Sequence, residues 1–262
     1  MAYTFKKRRL YNPGEEAAFK MSRSKIDLFL NCPRCFYLDQ RRGVKRPEFP
    51  AFTLNSAVDH LLKKEFDIHR AAGVAHPLMK KYKIDAVPLQ SEKMDEWRHT
   101  FTGIQYLHKP TNFLVYGAID DLWRNSGGEY HIVDYKATSK DKEPDLEGEY
   151  QQSFKRQMEI YQWLFRQNGF KVSPVGYFVY VNGRRDKEAF DSKLEFDVFL
   201  ISYKGDDSWV EKTLFEIKKS LSGGLPAPAE NCEYCGYRLA AAQAAAEEKS
   251  SKTQKGATGA LF

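Results

Sequence analysis

Long apolar runs are missing from this 262-residue chain. None approaches the ~18 uninterrupted apolar residues of a membrane helix, so no membrane-spanning segment is expected. The basic cluster in "MAYTFKKRRLYNPGEE" is followed by no apolar run, which excludes the pattern of a secretory leader; the expectation is a cytoplasmic protein. Cysteine is scarce, with four in all, and in a reducing compartment these are not expected to form disulfides. No internal repeat is present. The basic excess is small, 41 Lys and Arg against 35 Asp and Glu, a formal charge of +6. That balance is compatible with a polyanionic partner but does not demand one. What the chain does have is 42% hydrophobic and 14% aromatic residues, ample for a packed core in one large domain or two small ones.

Three stretches differ in pattern. Residues 1–20 read as an extended arm, 21–240 as the folded domain, and 241–262, low in complexity, as a disordered tail. Within the domain, "SRSKIDLFLN" predicts a helix, broken at Cys32 because Pro33 suits only a first helical position. "PRCFYLDQRR" then begins a fresh turn, and "TLNSAVDHLLKKEFDIHR" predicts another helix with Leu54, Val58, Leu61, Leu62 and Phe66 as its apolar face. From about residue 98 the β-branched and aromatic content predicts strands, among them "FLVYGAIDDLWRN" and "EYHIVDYKAT", joined by the hairpin turn "NSGG". A helix follows at 152–169, then two strands and a late helix.

The chemistry-bearing residues cluster around that hairpin. In "HIVDYKATSK", Asp134 and Lys136 are two apart and so project from one strand face. A surface ion pair would explain them. Asp120 and Asp121 are expected mid-strand on the neighbouring strand, facing opposite ways, and a carboxylate in an apolar strand requires a cationic partner or a metal. Two carboxylates on adjacent strands can hold a hard divalent cation, and a nearby lysine can stabilise developing negative charge. Gln157 lies inside the stripe formed by Phe154, Met158, Tyr161, Leu164 and Phe165, where it must find a polar partner or lie at the edge. His60, at the edge of its helix's apolar face, reads either as a packed histidine or as a ligand.

Taken in order, His60, "GAID" with Asp120, "DYK" with Asp134 and Lys136, and "QMEIY" with Gln157 and Tyr161 resemble the PD-(D/E)xK nuclease superfamily, most of all its RecB-like exonuclease branch, which includes CRISPR-adaptation exonucleases. "SRSKIDLFLNCPRCFYL" and "PAPAENCEYC" share the likeness, which spans residues 22–238. The resemblance implies an α/β (α+β) restriction-endonuclease-like fold, a mixed central sheet flanked by helices. It implies Mg2+ or Mn2+ ligation by His60, Asp120, Asp134 and the Tyr135 carbonyl. Lys136 would position the attacking water, while Gln157 and Tyr161 would brace the site and touch the DNA backbone. The implied function is a DNA nuclease, with exonuclease action in repair, recombination or mobile-element defence. A non-cleaving nucleic-acid-binding accessory module of the same fold is the alternative. Lys7–Arg9, Arg41–Arg46 and Arg184–Arg185 are candidate phosphate contacts.

Cys32, Cys35, Cys232 and Cys235 form two CxxC pairs at opposite ends of the domain. This pattern points to a metal site that ties the two ends together, with Cys35 as a mere apolar filler the other reading. Four thiolates suit zinc or an iron–sulfur cluster. The resemblance favours a [4Fe-4S] cluster, although relatives carry one early and three late cysteines where this chain has two and two.

Overall fold

The computed structural model describes residues 9–47, 50 and 52–257. Its elements are β1 (Phe19–Ser22), α1 (Arg23–Asn31), α2 (Pro33–Arg42), α3 (Thr53–Ala72), α4 (Pro77–Lys81), β2 (Val87–Pro88), α5 (Met94–Arg98), β3 (Ile104–His108), β4 (Phe113–Gly117), β5 (Asp121–Arg124), β6 (Tyr130–Thr138), α6 (Glu149–Gln167), β7 (Val175–Gly183), β8 (Phe196–Lys204), α7 (Trp209–Ser222) and α8 (Glu233–Ala257). The strands form two mixed sheets, β1-β4-β3 and β2-β5-β6-β7-β8, flanked by helices. This is the restriction-endonuclease-like arrangement.

Two compact units emerge. One comprises residues 15–27 and 49–216, the other residues 1–14, 28–48 and 217–262. The first contains both sheets. In the larger sheet β6 pairs antiparallel with β5 and parallel with β7, and β7 is buried along nearly its whole length. A strand covered on both faces reads as an unbroken apolar run, as "VGYFVYV" does. Successive β6 residues project to opposite faces. Val133 and Tyr135 join the core with Leu62 and Phe66 of α3. Asp134 meets α6 through Gln157. The two helices therefore sandwich β6.

In the second unit Cys32 caps α2, with Pro33 in the first turn, and Gly43 closes the helix in the left-handed conformation at φ 74°. Phe29 packs edge-on against Phe36, with ring centroids 5.3 Å apart. Arg34 Nε donates to the Pro226 carbonyl at 2.9 Å, and the Tyr11 N–H to the Gln40 carbonyl at 2.8 Å. The early and late segments of the chain thus meet in one small core.

Several expectations need correction. "FLVYGAIDDLWRN" is not one strand: it breaks after Gly117 into β4 and β5, which belong to different sheets. The Ile119 N–H leaves the ladder for the Trp97 carbonyl at 3.1 Å, and Asp120 sits in the bend. Leu54 and Leu61, read as part of the α3 stripe, are exposed. Residues 19–20 lie in β1, paired with β4, although the reading places them in an extended arm. The stretch expected as a disordered tail is helical through Ala257, as "LAAAQAAAEEK" favours by its alanine and glutamate content. Met1–Arg8 and residues 258–262 lie outside the described residues.

Candidate active site

Asp134 is carried by the centre of β6, and its carboxylate is 1% exposed. Gln157 Nε2 of α6 donates to its Oδ1 at 2.7 Å, and the Lys136 ammonium forms an ion pair with its Oδ2. The Lys136 ammonium also lies 4.5 Å from the centroid of the Phe154 ring, a cation–π contact that helps to fix it. The bend after β4 delivers Asp120 to the same place. Its Oδ2 accepts from the Tyr135 N–H at 2.9 Å, and Lys63 of α3 approaches its Oδ1 to 3.0 Å. Asp120, Asp134, Lys136 and Gln157 therefore converge, with Tyr161 behind them accepting from Gln157 Nε2 at 3.3 Å.

The electrostatics separate the two carboxyls. For Asp134, burial dominates; together with repulsion from Asp120 it outweighs the attraction of Lys136 and lifts the carboxyl to about 6. Burial also acts on Asp120, but Lys63, Lys136 and the Tyr135 N–H outweigh it and hold that carboxyl below its usual value. Paired acids driven in opposite directions are a frequent mark of a functional site. A cavity of about 430 Å³ opens beside them, with Asp120, Tyr135, Lys136 and Phe154 in its wall.

His60 is not brought to this site. It is exposed and does not line the cavity. The helix turns its neighbour Asp59 inward instead, and Lys63 bridges Asp59 at 2.8 Å and Asp120 at 3.0 Å. Helical phase explains the difference: Asp59 precedes the buried Leu62 and Phe66 by three and seven residues and shares their face, whereas His60 lies about 100° round. Lys63 also escaped the sequence reading, as did Arg23, whose guanidinium hydrogen-bonds the Tyr161 hydroxyl and is drawn by Asp134. Lys63 follows Asp59 by one helical turn and could have been found by the same phase. Nothing local marks Arg23.

Asp121 plays a different part from its twin. It is fully buried and ringed by donors. Its Oδ1 accepts from the Leu122 N–H at 2.7 Å and contacts Arg70, with Arg98 at 3.4 Å. Its Oδ2 accepts from Tyr135 OH at 2.8 Å and from Trp123 Nε1 at 3.1 Å. Arg98 also donates to the Asp120 carbonyl at 2.8 Å, so this network holds the bend that presents Asp120. The expected phosphate contacts divide as well. Arg184 and Arg185 pair with Asp186 and Asp141 at the surface, Arg46 faces the thiols, and Lys7 and Arg8 lie outside the described residues.

The PD-(D/E)XK nuclease superfamily model matches residues 20–240. The chain belongs to this superfamily. Its members are generally metal-dependent nucleases, and membership implies a nucleic-acid substrate. The solved structure described as "Crystal structure of SSO0001" is similar at 17% identity and a TM-score of 0.37, over 86% of this chain and 85% of that one. A search of curated proteins returns no match. Among the described residues no helix is long and apolar enough to cross a membrane.

The acids fit the divalent cation that the superfamily uses, because Asp120 and Asp134 offer hard carboxylate oxygens close enough to repel one another. The second site has a different donor set: the four cysteine thiols lie together and could hold a metal.

Proposed function

We propose that this chain is a Mg2+- or Mn2+-dependent deoxyribonuclease of the RecB-like branch, acting as an exonuclease in DNA repair, recombination or mobile-element defence. The observation that carries this reading is the convergence of Asp120, Asp134, Lys136 and Gln157 from a bend, a strand and a helix, with Asp120 and Lys136 opening onto the cavity. A binding module has no need of a buried acid held between a lysine and a glutamine.

Asp120 and Asp134 would hold the cation, with the Tyr135 carbonyl as a backbone ligand and Asp59 in the place first given to His60. When bound, it would supply Lewis-acid activation of water and neutralise phosphate charge. The chain's own residues do the rest. Gln157 orients the Asp134 carboxylate by its Oδ1, leaving Oδ2 directed at Lys136. Lys136, 16% exposed, presents its ammonium where a water or a phosphoryl oxygen needs a donor. Tyr161 and Arg23 brace Gln157 from behind.

The test is cleavage of labelled single- and double-stranded DNA, linear and circular, with Mg2+, Mn2+ or EDTA, comparing wild type with Lys136→Ala. Metal-dependent cutting of linear DNA that spares circles and is lost in the variant is the expected result. Cutting of circles would make the enzyme an endonuclease. DNA binding without any cutting by wild type would move the protein to the accessory class.

A further inference from the structure

The early and late CxxC pairs occupy matching positions. Cys32 caps α2 and Cys35 lies in its first turn; Cys232 immediately precedes α8 and Cys235 lies in its first turn. Both helices therefore turn their N-terminal ends, the positive ends of their dipoles, toward the same cluster of sulfurs. The Sγ atoms of Cys35 stand 3.5 Å from Cys232 and 3.6 Å from Cys235, and Cys32 is 3.9 Å from Cys235. All four lie within 4.8 Å of one another.

These separations measure the size of the guest. With a zinc–sulfur bond of about 2.3 Å, the edge of a tetrahedron of thiolates is about 3.8 Å. The observed spacings straddle that value. A [4Fe-4S] cube attaches each thiolate to a different iron, and the intervening cage of iron and sulfide holds the ligands farther apart than a single ion does. We infer that the four cysteines bind one zinc ion in a tetrahedral tetrathiolate site, and that the [4Fe-4S] cluster suggested by the family resemblance does not fit here. Binding releases the thiol protons to solvent and involves no redox change.

A second observation concerns the charge of such a site. Four thiolates and one divalent ion carry a net charge of −2. Arg46 supplies a counter-charge: its Nη2 approaches Cys232 Sγ to 3.4 Å, and its guanidinium lies 4.5 Å over the Tyr234 ring. The Ala229 N–H donates to Cys32 Sγ at 3.4 Å. Arg46 is thus a positioning residue outside the ligand shell, holding the Cys232 sulfur by hydrogen bond and charge.

The decisive measurement is the metal and acid-labile sulfide content of full-length protein, purified without oxygen from cells supplied with both iron and zinc. One zinc per chain, no sulfide and no visible chromophore is expected, and exchange with Co2+ should give the absorption of a tetrahedral thiolate complex. Four irons with sulfide, a single iron, or a folded protein without metal would each overturn the assignment. Cys235→His should retain zinc, because imidazole is an ordinary zinc ligand. Arg46→Leu should keep its circular dichroism but bind zinc about tenfold more weakly in competition with a chelator; unchanged affinity would remove Arg46 from the site.

Discussion

Gln157 Nε2 donates to Asp134 Oδ1 at 2.7 Å from inside the apolar stripe of α6. That bond explains why a helix otherwise committed to the core carries an amide there: a buried carboxylate needs a partner, and a neutral donor supplies one without cancelling its charge. Replacing Gln157 with Leu leaves Oδ1 unsatisfied. Cleavage should fall about 10–100-fold, and the Mg2+ concentration for half-maximal activity should rise, as expected when a group that orients a ligand is lost. A metal titration of the cutting rate decides this; a lower rate with an unchanged metal requirement would assign Gln157 to packing alone.

The adjacent acids should separate cleanly on mutation. Asp121→Asn leaves Arg70 and Arg98 facing a neutral, fully buried amide, and about 3–5 kcal/mol of stability should be lost. Asp120→Asn keeps an oxygen for the Tyr135 N–H and should change stability by no more than about 1 kcal/mol while abolishing cleavage. Urea denaturation of the two variants, beside the DNA assay, is the check. Equal stabilities would mean that the buried network contributes little.

Gly117 is required for space. A Cβ built there would stand 2.4 Å from Tyr161 Cε1, against an aromatic ring fixed in the core. Gly117→Ala should cost about 1–3 kcal/mol by overpacking. The double variant with Tyr161→Leu should recover part of that loss, giving a non-additive thermal denaturation cycle. Strict additivity would show that the clash relaxes elsewhere.

His76 should make the fold sensitive to mild acid. Its Nδ1 accepts from the Leu78 N–H at 3.0 Å, capping α4, while Nε2 faces Glu65 at 2.8 Å. Burial pushes the imidazole below its usual value; Glu65 opposes this and His69 adds to it. With the folded value depressed, the contribution is complete above the unfolded value of about 6.5 and is lost as pH falls through the folded one. Protonation also removes the acceptor that the cap requires. His76→Asn, which keeps a capping oxygen, should flatten the stability profile below pH ~6.5 by about 1 kcal/mol relative to wild type. Parallel thermal melts across that range would show it, and superimposable profiles would refute it.

Much of this protein was legible in one dimension because the signals are local. Period-two and period-3.6 patterns found the main strands and helices, the Asp134–Lys136 spacing marked one strand face, and the misfit of Gln157 in its stripe left a polar partner or an edge position as the choices. Two CxxC pairs pointed to a metal site, and the four thiols do lie together. What the sequence could not decide was direction and distance. Whether His60 or Asp59 faces the acids depends on the roll of α3, fixed by the packing of Leu62 and Phe66 against β6. Whether Asp120 or Asp121 serves the site depends on the break after Gly117 and on a buried ring of arginines drawn from α3 and α5. The clustering of four sulfurs within 4.8 Å exists only because segments far apart in the chain bring two helix N-termini together. Local propensity reads along the chain; a site is made across it, by packing that no single segment encodes.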